Sequence, residues 1–264
     1  MKRGLTAFLL FLLFSAGESV AEETGQDTLV RPEPKGALAW FKQGVELTRQ
    51  GEYKAALQRF RRAKSLAPNW ALPYVEIAVA HMMTDNDRTV IGPALAKAVR
   101  LGGDIPRAHY LYGIFHQENR KRKKAIKEFI RALQLRPSLT DARFRLSTLF
   151  VEEGRQTDGI HQYELLVKYK PSHVGAHRNL AFLLEQSGRF EDAEQHLVAI
   201  ASLFPTNAYH QTNLGRFYER VGWNKKAKAA FVKAERIEST RDKRKLRPLL
   251  NSRDKRREAD PMED

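Results

Sequence analysis

One distance governs this sequence. Pro137, Pro171 and Pro205 stand 34 residues apart. A column of small residues keeps the same step: Gly44, Ala78, Gly113, Ser147, Ala181, Gly215. A column of large residues follows it sixteen or seventeen positions later: Phe60, Leu95, Phe129, Tyr163, Leu197, Phe231. A third column, Ala63, Ala98, Ala132, Leu166, Ile200, Ala234, runs in the same register. Every step is 34 except one of 35. Within a single period, Ala37 to Pro68, the pattern reads as two helices packed face to face. Small Gly44, Ala56 and Ala63 let the backbones approach, and Trp40, Leu47 and Phe60 fill the space between them. Gly51 ends the first helix in a left-handed turn, and Pro68 stops the second.

The residues Trp40, Gln43-Gly44, Leu47, Ala56, Phe60 and Pro68 resemble the tetratricopeptide repeat, with Gln43 where the family has Leu and Leu47 where it has Tyr. The resemblance implies an all-α, right-handed superhelical solenoid of six helix-turn-helix repeats, spanning 37–70, 71–105, 106–139, 140–173, 174–207 and 208–239. The long step lies between Ala78 and Leu95, which places one extra residue in the turn Thr84-Asp85-Asn86-Asp87. Gly102-Gly103 stands where the other repeats carry Pro, so the second repeat is expected to pack most loosely.

Outside the repeats the composition changes. Residues 1–21 read as a signal peptide: Lys2 and Arg3, an apolar run from Leu5 to Phe14, then Ser19-Val20-Ala21 as a cleavage site. The run is about half the ~20 residues a spanning helix needs, so no transmembrane anchor is expected after cleavage. The chain has no cysteine, which excludes disulfides and a thioether-linked lipid anchor. Residues 22–36 read as a flexible leader, and 240–264 as a charged capping segment and disordered tail. Leu246, Leu249 and Leu250 would form the cap's apolar stripe, with Pro248 kinking it. The expected location is the periplasm of a bacterium, or alternatively the outside of the cell.

The formal charge is +15. Arg120, Lys121, Arg122, Lys123 and Lys124 are five consecutive cations. They read either as a solvated turn or as a patch for an anionic partner. No aromatic residues interleave to stack bases, and export removes access to nucleic acid, so the sequence argues against that partner. His81 and His116 occupy equivalent positions in neighbouring repeats and read as packing residues. His173 falls before a helix start, and no third ligand accompanies it and His177. No GxSxG, phosphate loop, HExxH or cysteine nucleophile occurs. No catalytic residue, metal or cofactor is expected.

In tetratricopeptide proteins the first helix of each pair lines the concave face. By that resemblance Phe41, Val45, Val75, Val79, Met82, Tyr110, Ile114, Phe144, Arg178 and Phe182 are the candidate partner-binding residues. Their apolar character suits a peptide or protein with hydrophobic anchors. The same aromatics serve equally as packing between neighbouring first helices. The expected function is a non-enzymatic, exported interaction scaffold in a bacterial envelope assembly such as a secretion, pilus or motility machine. Two alternatives stay open: a module that binds an anionic envelope surface through its basic turns, and an accessory subunit of an envelope enzyme complex.

Overall fold

The computed structural model describes residues 35–240; the expected signal peptide, most of the leader and nearly all of the tail lie outside them. The described residues are all-α, twelve helices packed in pairs. They are α1 (Lys35–Arg49), α2 (Tyr53–Leu66), α3 (Ala71–Met83), α4 (Arg88–Leu101), α5 (Pro106–Glu118), α6 (Arg122–Leu135), α7 (Thr140–Glu152), α8 (Gln156–Tyr169), α9 (Val174–Gln186), α10 (Phe190–Leu203), α11 (Ala208–Arg220) and α12 (224–240). Two compact units result, residues up to Ala142 and residues from Arg143, and the division falls within α7.

The size columns do the packing. In the first, third and sixth repeats the small residue is Gly, and an added Cβ would sit 2.5 Å from Phe60, 2.6 Å from Phe129 or 2.7 Å from Phe231. Where the large residue is Leu95, Leu197 or Tyr163, the small one is Ala78, Ala181 or Ser147 instead. A phenyl ring therefore fills the volume that a methyl group fills elsewhere. Phe60, Leu95 and Phe129 are fully buried in the first unit, as are Tyr163, Leu166, Leu180 and Phe217 in the second. Each such side chain contributes roughly 1.5–3 kcal/mol by leaving water.

The turns between paired helices carry the other signal. Gly51, Gly154, Gly188 and Gly222 have φ between 73° and 80°, the region where a Cβ is costly. Asn86 and Arg120 take the same place with φ of 52° and 57°. The extra residue is where the spacing put it: four residues separate α3 from α4, and three separate the other paired helices. Asp87 then starts α4, its carboxylate accepting from the Thr89 amide at 2.9 Å and the Thr89 hydroxyl at 2.6 Å. The looseness expected of the second repeat is absent. Every residue from Val75 to His81 is buried, because α3 is apolar around most of its circumference.

Candidate functional site

Three of the eight histidines, His109, His177 and His196, belong to a structural layer. In four of the six repeats the fourth residue before the small column position reaches the residue nineteen further on, in the paired second helix. His109 Nδ1 lies 2.7 Å from Glu128 Oε2. His177 Nδ1 lies 3.0 Å from His196 Nδ1. Arg143 donates to Gln162 at 2.8 Å, and the Arg59 guanidinium lies over the Trp40 ring. The same layer ties the second, third and fifth repeats to the end of the one before. Tyr74 donates to the Pro68 carbonyl at 2.8 Å, and the His109 and His177 Nε2 atoms lie 3.3 Å and 2.8 Å from the Gly103 and Pro171 carbonyls. Carbonyls accept only, so His177 carries a proton on Nε2; in its neutral form Nδ1 then accepts, and His196 donates from its own Nδ1. His81 and His116 are buried, and His173 caps α9 by accepting from the Ala176 amide. Among the described residues, no three His, Asp or Glu side chains gather where they could hold a metal ion.

The residues expected to face a partner divide by unit. In the first, Phe41, Val75, Val79 and Ile114 are buried. Phe41 packs 5.6 Å from Phe60 and 4.7 Å from Trp70, ring centre to ring centre. Val45, Met82 and Tyr110 are half-buried, and the Tyr110 ring leans on Phe129. In the second unit Phe144 is half-buried between Tyr163 and His173, whereas Arg178 and Phe182 are exposed. The structure thus gathers only the last of these residues into open surface.

That surface belongs to α9 and α11. Phe182 and Tyr209 are each 59% exposed, the two most exposed large apolar side chains described. Arg178, one turn before Phe182 on α9, and Arg216, two turns after Tyr209 on α11, are also exposed, and neither forms an ion pair or hydrogen bond with another described residue. Arg220 of α11 makes a bidentate pair with Glu185 of α9, at 2.7 and 2.9 Å, which holds the two helices side by side. Beneath them lies a closed hydrogen-bond chain. Asn179 donates to Tyr163 Oη at 2.6 Å, Tyr163 donates to Thr148 at 2.8 Å, and Thr148 donates to the Phe144 carbonyl at 3.0 Å. Asn179 is therefore held by the core. The result is two aromatic faces with two unspent guanidinium groups on a fixed support, a chemistry suited to apolar anchors beside carboxylates.

Family models of the tetratricopeptide repeat match residues 106–139, 144–208 and 211–241. This chain is a tetratricopeptide-repeat protein. Its repeats belong to a family of protein-interaction scaffolds. Several solved structures share the fold. Pseudomonas aeruginosa PilF is 18% identical, with a TM-score of 0.60 over 78% of this chain and 93% of its own. YrrB, a tetratricopeptide-repeat protein with an unusual peptide-binding site, is 20% identical, with a TM-score of 0.55 over 72% and 93%. MamA from Desulfovibrio magneticus RS-1 is 20% identical, with a TM-score of 0.52 over 65% and 97%. These are likenesses of fold. No curated protein matches the chain in sequence.

Tyr209 escaped the sequence reading. It stands six residues before Gly215, where the other repeats of this protein place Leu38, Leu72, Arg107, Asp141 and Gly175. No size pattern marks that position, and only its place in the first turn of a first helix could have singled it out. The basic patch, Arg120 to Lys124, is exposed throughout, with Arg120 at the positive-φ corner between α5 and α6.

Proposed function

We propose that this tetratricopeptide-repeat protein is a non-enzymatic, exported scaffold that binds a peptide or protein on the first helices of its fifth and sixth repeats, as part of a bacterial envelope assembly of the secretion, pilus or motility kind. The observation that carries the binding reading is the open surface of α9 and α11, where Phe182 and Tyr209 stay in water beside the unpaired Arg178 and Arg216. Large apolar side chains left exposed on a rigid support usually meet a partner. The export reading rests on the basic start, short apolar run and Ser19-Val20-Ala21 of the first 21 residues.

Two measurements test the two halves separately. Capture from envelope extract compares the wild type with a Phe182→Ser/Tyr209→Ser variant. The variant is expected to lose a partner that the wild type retains, and identical partner profiles reject the site. Cell fractionation should find the processed chain, shortened by its first 21 residues, in the periplasm or medium. An unprocessed cytoplasmic chain rejects export and leaves the binding site standing.

A further inference from the structure

The second helices carry a charge pattern of their own. In the first unit, α2, α4 and α6 together hold thirteen Lys and Arg and a single acid, Glu128. That acid turns inward to His109. In the second unit, α8 and α10 hold one Lys and five Asp and Glu, and only α12 is basic again, with five Lys and Arg against two Glu. The excess in the first unit is not neutralised locally. Lys54, Arg61, Arg62, Arg100, Lys123 and Lys127 are exposed, and none forms an ion pair or hydrogen bond through its side chain. They lie opposite the buried stripes of their helices: Ala56, Phe60 and Ala63 on α2, Leu95 and Ala98 on α4, Ala125, Phe129 and Ala132 on α6. The five-cation turn is thus one corner of a face that recurs over three repeats.

We infer that this outward face of α2, α4 and α6 binds the surface of an anionic lipid bilayer. Cations spread over three successive helices suit a two-dimensional array of headgroups. Ile130 stands on the same side of α6 as Lys123 and Lys127, and Leu66 ends α2; both are exposed, so each offers an apolar side chain to the headgroup region. The features that would favour nucleic acid are missing. No aromatic side chain in the described part of the first unit is exposed, so nothing stacks a base. No helix of the described residues is long and apolar enough to cross a membrane, so the contact is peripheral. The inference is independent of the α9–α11 site, which lies on first helices and in the other unit.

The test is co-sedimentation of the purified full chain with vesicles. Binding is expected to vesicles of phosphatidylcholine with phosphatidylglycerol, not to phosphatidylcholine alone, and to collapse as salt is raised. An Arg61→Glu/Lys123→Glu/Lys127→Glu variant should bind at least roughly a hundredfold more weakly, since three surface cations are lost and three anions added, with an unchanged helical circular-dichroism spectrum. The Phe182→Ser/Tyr209→Ser variant should bind vesicles like the wild type. The basic residues between 241 and 257 stay intact in the charge-reversed variant, so undiminished binding by that variant overturns the inference. So does salt-resistant binding, or tighter binding to a DNA or RNA oligonucleotide than to the vesicles at equal salt.

Discussion

The two units use one repeat to make opposite surfaces. In the first, the inward positions of the first helices are sealed, with Phe41, Val75, Val79 and Ile114 buried, and the second helices carry almost unrelieved positive charge. In the second, Phe182 and Tyr209 stand open on the first helices, while α8 and α10 are acidic and only the last second helix, α12, is basic. The first two size columns barely differ between the two, and the third trades Ala for Leu166 and Ile200 at two of its positions. A repeat frame therefore fixes a handful of packing positions and leaves the chemistry of each face free, so that one chain can carry two separate contact surfaces.

The largest effect should come from breaking the frame itself. Gly113→Ala forces a Cβ to 2.6 Å from the fully buried Phe129 ring. Overpacking of this kind costs about 1–3 kcal/mol. Ala181 already carries that methyl group opposite Leu197, so the second unit shows the remedy. Phe129→Leu in the Gly113→Ala background should recover much of the loss, although Phe129→Leu alone destabilises. Urea unfolding of the four proteins in the cycle measures the coupling. Strictly additive losses would mean that ring and methyl group do not share one space.

How much of this the sequence could show depends on what sets each property. The helices, their pairing and the extra residue between α3 and α4 follow from spacing, which the chain displays directly. Burial of Phe41 does not, because it is closed off by Trp70, a residue of the turn between repeats whose counterparts, Ile105, Leu139, His173 and Asn207, share no common size. Tyr209 is exposed because of what surrounds its own repeat position, and nothing in the period marks it. The basic face was half visible. Arg120 to Lys124 are adjacent in sequence and catch the eye, whereas Arg61, Arg100 and Lys127 meet only once the helices are wound and the repeats aligned.

A second, smaller contrast lies in the histidine layer. His109 faces Glu128, while its counterpart His177 faces His196. Burial, and then the facing His177 and nearby Arg189, hold His196 down at about 4, with Asp192 pulling the other way. In the unfolded chain the same imidazole takes up its proton near 6.5. Folding thus excludes a proton: the stabilisation is complete above about pH 6.5 and is lost as the pH falls towards about 4. With allowance for the partial exposure of His196, the loss amounts to about 1–2 kcal/mol. His196→Glu copies the arrangement of the first unit and should flatten the urea midpoint over this range. An acid sensitivity that survives the substitution would place its origin elsewhere.

The smallest effect concerns the support of the open surface. Arg220 and Glu185 join α11 to α9 through two good hydrogen bonds, yet the Arg220 side chain is 57% exposed. Exposed pairs contribute at most about 1 kcal/mol, and less in salt. Arg220→Ala should therefore shift the unfolding midpoint slightly, and the shift should shrink as salt is added. Its effect on the surface should be of another kind, because it frees Glu185 beside Arg178 and Arg216 and lowers the local positive charge by one. A captured partner with acidic anchors should then bind more weakly than the stability change alone explains, whereas a partner held only by Phe182 and Tyr209 should not respond. Comparing the two shifts for one partner separates the guanidinium groups from the rings as the source of affinity.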